Sequence, residues 1–171
     1  MSGLACLLDR RGAPVRERRI HALDDGIAIY GASSTTLCDG PVGIVVRHDG
    51  SDRARHCHGP IKDRRTGLVV AVAGLFCPVG PSSVAGRDPA RIGCARWLLE
   101  QWTSVVTRLI DEIAGSFTLV IAEPAIGKLS VFRDHLGDLK VYHHLDHRQL
   151  IAATEAGAIL RDPVITAEPD E

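Results

Sequence analysis

The sequence has few aromatic residues: three Phe, two Trp and two Tyr in 171 positions. It therefore offers few of the aromatic anchors on which protein interfaces draw. It also lacks an excess of either charge. Twenty Lys and Arg stand against 21 Asp and Glu, interspersed, for a net charge of −1. Neither a nucleic-acid nor a membrane surface is expected from such a balance. No apolar run approaches the ~18 residues of a membrane span. The opening "MSGLACLLDRRG" has no basic segment ahead of its apolar residues, so a secretory signal is not expected. The five cysteines, Cys6, Cys38, Cys57, Cys77 and Cys94, are odd in number and form no C-x-x-C pair. A reduced, cytoplasmic chain is the expectation. Internal repeats, low-complexity segments and a Gly-rich phosphate loop are missing as well.

What is present is a chain that is 45% hydrophobic, long enough for one domain with a sizeable core. The first strand is expected at residues 3–8, and "PVRERRIHALDD" reads as a short helix with Pro14 near its start. "GIAIYG", "STTLC" and "PVGIVVR" read as strands separated by turns. Residues 51–67 are polar and read as a loop or exposed hairpin. "LVVAVAGLF", residues 68–76, is almost unbroken in its apolarity. That pattern predicts a strand buried on both faces, with Val70 and Val72 toward one layer and Ala71 and Ala73 toward the other. Asp88 is a natural N-cap and Pro89 fits the first helical position. Behind them Ile92, Ala95, Leu98, Leu99 and Trp102 recur as one helical stripe. Trp97 is offset from that stripe and is expected partly outside the core, on a candidate interaction surface. "SVVTRLIDEI" reads as a second short helix. Four strands follow, "SFTLVIAE", "KLSVFRD", "KVYHHL" and "QLIAAT", joined in pairs by the short turns "PAIG" and "DHR". "EAGAILR" reads as a last helical turn or two. The domain is expected over 1–162, with 163–171 as a tail or linker stub. Strands with helices grouped at two places predict an α+β fold, helices outside layered antiparallel sheets.

Residues 114–160 carry a resemblance. Gly115-Ser116-Phe117, then Arg133-Asp134-x-Leu136-Gly137-x-Lys140, then Tyr142, then Thr154-Glu155 stand in the order found at the end of the N-terminal glutaminase domain of asparagine synthetases. That stretch is also similar to the glutaminase-like domains of β-lactam and carbapenam synthetases, which have lost activity. "MSGLACLLDRRGAPV", "GPVGIVVRHDG" and "GRDPARIGCARWLLEQW" resemble the earlier segments of the same domain, so the likeness spans essentially the whole chain. It implies an Ntn-hydrolase-like four-layer α/β/β/α sandwich with antiparallel sheets. In it the segment from Arg133 to Tyr142 is a scaffold turn, with Gly137 permitting the reversal.

The resemblance also implies which residues would carry glutamine hydrolysis. That chemistry needs an N-terminal nucleophile whose own α-amine can act as base, and donors for the oxyanion. It also needs an Arg for the substrate carboxylate and an acid for its ammonium. The nucleophile position holds Ser2, not Cys. The family's Asn-Gly-Glu falls on Ala73-Gly74-Leu75, which keeps only Gly74. The carboxylate-binding Arg falls near Arg47 or His48. The family's Asp survives as Asp88, where an N-cap role also suffices. A remnant pocket of Arg47, Gly74 and Asp88 is thus expected, with three independent functions lost.

The function this implies is a pseudo-glutaminase that acts as a structural partner of an adenylating, asparagine-synthetase-like protein. ATP and Mg are expected only on that partner, and this chain is expected to hold no cofactor. Homo-oligomerisation is left open. The rivals are an Ntn amidase using Ser2 as nucleophile and a small-molecule sensor that reuses the old pocket. "HCH" at 56–58 and "HHLDH" at 143–147 match no zinc spacing and read as solvated histidines, so no metal is expected. Cys6 and Cys77 read as small core residues.

Overall fold

A computed structural model describes residues 2–50, 58–79, 89–101 and 110–166. Asp88, Trp102, Cys57, His56 and most of "SVVTRLIDEI" lie outside the described residues.

The strands are β1 (Gly3–Asp9), β2 (Ser33–Asp39), β3 (Val42–His48), β4 (Ile61–Lys62) and β5 (Val69–Pro78). They continue with β6 (Ile113–Glu123), β7 (Lys128–Arg133), β8 (Tyr142–Leu145) and β9 (Gln149–Ala153). The helices are α1 (Glu17–Gly26), α2 (Pro89–Ile92), α3 (Cys94–Gln101) and α4 (Ala156–Leu160). One sheet has the order β2-β3-β1-β9-β8 and the other β4-β5-β6-β7. Every strand pairing among the described residues is antiparallel. The hairpins expected at "PAIG" and "DHR" are the β6–β7 and β8–β9 turns.

Strand alternation builds the layers. Leu4, Cys6 and Leu8 of β1 and Val42, Ile44 and Val46 of β3 meet Val69, Ala71, Ala73, Val120 and Ala122 between the sheets. The other face of the first sheet, with Ala5, Leu7, Val45 and Ile151, is covered by Ile20, Leu23 and Ile27 and by Ala158 and Ile159. The other face of the second sheet presents Val70, Val72, Phe117, Leu119 and Ile121 to α3. The result is the expected four-layer α/β/β/α sandwich. The split of Val70 and Val72 from Ala71 and Ala73 is as the sequence predicts, because a strand in an inner layer must be apolar on both faces.

Four expectations need correction. "GIAIYG" is not a strand: α1 runs to Gly26, and Ala28–Tyr30 forms a 3-10 turn. Trp97 is only 2% exposed and packs edge-on against Phe76 at 5.7 Å. α3 lies so flat on its sheet that Cys94, Ala95, Trp97, Leu98 and Leu99 are all buried, while Arg96 and Glu100 pair across its exposed side. The buried face is wider than one stripe, so Trp97 presents no surface to a partner. Cys77 is exposed near the end of β5, although Cys6 is fully buried, its thiol pushed up to about 12 by burial. His58 is buried and not solvated.

Ordered contacts also run past residue 162. The Asp162 carboxylate receives Arg19 Nε at 3.0 Å and Nη2 at 2.8 Å, and the Val164 N–H at 2.9 Å. Arg19 also meets Gln149. Ile165 packs on the outer core of the first sheet. Among the described residues no helix is long and apolar enough to cross a membrane.

Candidate functional site

The site lies where β1 begins. Ser2 precedes the strand and is 3% exposed. By alternation it faces the gap between the sheets, as Leu4 and Cys6 do. Its Oγ accepts a hydrogen bond from the Gly74 N–H at 2.8 Å. Gly74 adopts φ +87 within β5, a conformation that glycine tolerates and other residues rarely do. A Cβ there would come 2.1 Å from the Ser116 carbonyl and 2.8 Å from Leu139 Cδ1. The residue type and the direction of its N–H are therefore fixed together.

Three further contacts hold this strand end. Thr154 Oγ1 accepts from the Leu4 N–H at 3.1 Å and donates to the Leu4 carbonyl at 3.3 Å. The Tyr30 ring covers Gly3 so closely that a Cβ would lie 2.3 Å from it. Tyr30 in turn donates to Glu155 Oε1 at 2.8 Å. Burial, then the adjoining Glu155 carboxylate, pushes the Tyr30 hydroxyl up to about 12, so it remains a donor at neutral pH.

The segment after β7 closes the other side. Asp134 is 3% exposed, and its carboxylate receives the N–H groups of Asp138 at 3.0 Å and Leu139 at 3.4 Å. Burial opposes its ionisation, but these backbone donors outweigh burial and hold its carboxyl below the usual range. Gly137, at φ +70, makes the reversal. Asp134 thereby fixes the loop that sets Leu139 against Gly74. The scaffold turn anticipated from the sequence is present, and its Asp is buried.

Arg47 does not join this site. It lies on the helix-facing side of β3 with Val45, where Nε reaches Asp24 Oδ1 at 2.8 Å and Nη1 reaches the Gly31 carbonyl at 3.0 Å. Of the two positions left open by the sequence, it is His48 that shares the face of Ser2. The β1–β3 ladder pairs Gly3 with Arg47, and one step further brings Ser2 alongside His48. His48 is 1% exposed. Its Nδ1 accepts from the Gly50 N–H at 3.0 Å, and Nε2 lies 3.4 Å from Thr35 Oγ1.

His58 is the residue that sequence reasoning missed. It is 7% exposed, and its Nδ1 has no hydrogen-bond partner. Burial, then the nearby His48, lowers its pKa to about 4, so the ring is neutral at pH 7. Its position in a polar run, just before Gly59-Pro60, gives no local sign of burial. Ala73 is buried in the inter-sheet core, whereas Leu75 emerges 62% exposed. Among the described residues, Ser2 and Gly74 are brought together and Arg47 is held apart. No three His, Cys, Asp or Glu side chains among the described residues converge as a metal set would.

No protein-family profile and no curated protein matches this chain. A solved structure does. Glutamine phosphoribosylpyrophosphate amidotransferase from B. subtilis, complexed with ADP and GMP, superposes with a TM-score of 0.53 at 10% identity. The match covers 92% of this chain and 42% of that one, so the chain corresponds to less than half of the larger protein. At this identity the likeness is one of fold: a mixed α+β, Ntn-hydrolase-like sandwich of antiparallel sheets.

Proposed function

We propose that this chain is a catalytically degenerate glutaminase-like domain, similar to that of asparagine synthetases. In this reading it serves as a structural or regulatory partner of an ATP-dependent, adenylating amide-forming protein in the biosynthesis of a specialised metabolite or modified peptide. ATP and Mg belong to the partner. The observation that carries the reading is the Ser2–Gly74 contact. The N–H that would have to stabilise an oxyanion is already bound to the hydroxyl at the nucleophile position. The flanking Ala73 and Leu75 bring no polar side chain to assist it. Arg47 is neutralised by Asp24 on the opposite face, so it cannot bind a substrate carboxylate from there. With the flanking donor side chain missing, the electrostatic stabilisation that normally dominates acyl transfer is left to the Gly74 N–H, and the Arg47 fork is not there to hold the substrate.

The second reading is an Ntn amidase using Ser2. It is favoured by the same 2.8 Å contact, which sets a backbone donor beside a hydroxyl. Its weakness is the base: the α-amine of Ser2 is free only if Met1 is removed. A coupled ammonia assay with glutamine separates the two, with processing of Met1 checked by mass spectrometry. The pseudo-enzyme reading expects no release, and no rescue by Ser2→Cys alone. Turnover that disappears in Ser2→Ala would establish the amidase instead.

A further inference from the structure

The inter-sheet core does not close on all sides. β7 is the outer strand of one sheet and β8 the outer strand of the other. Between these edges lies a cleft of about 340 Å³. Leu129, Val131, Val141 and Leu150 line it, and all four are partly buried extensions of the inter-sheet core. Arg133 and His143 also line it. Arg133 shares strand parity with Leu129 and Val131, and His143 lies opposite Ala152 in the β8–β9 ladder, so both leave their strands on the gap side, the Arg133 guanidinium lying over Gly137 at the rim. Both are exposed. No hydrogen bond or ion pair engages either one among the described residues, and no carboxylate lines the cleft.

We propose that this cleft binds a straight-chain apolar carboxylate. Its hydrocarbon body would lie between the two sheet edges and its carboxylate would meet Arg133 and His143. The volume falls at the lower end of ligand pockets, which run from about 300 to 1,000 Å³. The shape follows from the fold. Stacked sheets stand about 10 Å apart, so an opening between them is a slot that takes a narrow chain better than a globular ligand. The chemistry follows from the lining. A guanidinium matches a carboxylate with two parallel hydrogen bonds, and the imidazole supplies a further N–H. The aliphatic floor gains from covering apolar surface and offers nothing to a sugar or a nucleotide. Neither Ser2 nor Gly74 lines this cleft, and binding there does not depend on their role.

The test is isothermal titration of the full chain with decanoate, with 1-decanol and acetate as controls. Saturable one-site binding of decanoate is expected, with neither control binding comparably. Arg133→Gln removes an exposed, unpaired side chain and so should leave the melting temperature unchanged. It should weaken decanoate by about tenfold or more, as befits loss of a charge-assisted pair. Val131→Phe, which fills the floor, should weaken decanoate and leave Arg133 in place. The proposal is overturned if folded wild-type protein shows no saturable binding. It is equally overturned if Arg133→Gln binds decanoate as wild type does, or if 1-decanol binds as tightly as decanoate.

Discussion

Replacing Asp162 by Ala tests how the C-terminal segment is held. The Asp162 side chain is fully buried and that of Arg19 is 11% exposed. The carboxylate accepts from Arg19 Nε and Nη2 and from the Val164 N–H. Removing it leaves a buried guanidinium without its counter-ion, with Gln149 as its remaining side-chain partner among the described residues. Breaking one side of such a pair costs about 3–5 kcal/mol, because the remaining charge stays desolvated. In a domain of this size each kcal/mol moves Tm by roughly 2–4 °C, so Asp162→Ala should lower it by about 6–20 °C. Thermal unfolding followed by circular dichroism reads this directly. The double variant Arg19→Met, Asp162→Leu replaces both charges by apolar groups and should recover most of the loss. An Asp162→Ala protein that melts within about 2 °C of wild type would refute the reasoning, since the pair would then contribute no more than a surface contact.

Gly74→Ala must accommodate both a positive φ and a Cβ 2.1 Å from the Ser116 carbonyl. A cost of about 2–5 kcal/mol is expected from the two together, read as ΔΔG in urea unfolding; a neutral result would show that β5 relaxes there. Val70→Asp and Ala71→Asp place a charge in two different apolar layers. Both should destabilise by several kcal/mol, and tolerance of either one would mean that its face is wet. His58 titrates near 6.5 when unfolded and near 4 when folded. The unfolded state therefore binds more protons between these values. The stabilisation is fully present above pH 6.5 and is lost as pH falls toward 4, by up to about 3 kcal/mol. Melting curves across that window should fall more steeply for wild type than for His58→Gln, and parallel curves would contradict the assigned burial.

Local pattern revealed what depended on local pattern. "LVVAVAGLF" announces an inner strand because both of its faces are apolar, and "PAIG" and "DHR" announce hairpins because they are too short for anything else. The Ser2–Gly74 pairing was reachable only through the resemblance, since 72 residues separate the two and neither has a distinctive side chain. The misreadings share a cause. "GIAIYG" alternates as a strand would, but α1 extends into it and the chain then turns. Arg47 and His48 differ by one position, which on a strand means opposite faces. Only the ladder with β1 and the carboxylate of Asp24 decide between them. His58 looks solvated from its polar neighbours, yet non-local packing buries it. Trp97 failed because a helix lying flat on a sheet buries more than one stripe.

The first sheet ties two strands that lie far apart in sequence, Gly3–Asp9 and Gln149–Ala153. β1 sits between β3 and β9, and Ala5 pairs with Ala153. The second sheet, by contrast, draws all its strands from the interval between residues 61 and 133. On a ribosome the first strand must therefore wait until β9, Gln149–Ala153, has been synthesised before its second neighbour exists. Until then Leu4, Cys6 and Leu8 belong to a strand with one open edge, the condition in which a β-rich chain is most exposed to pairing with the wrong partner. Closing so long a loop also slows folding, because entropy is lost before the contacts that repay it can form. The last strand thus acts as a latch on the first: synthesis must reach residue 153 before the sheet that carries Ser2 can be completed.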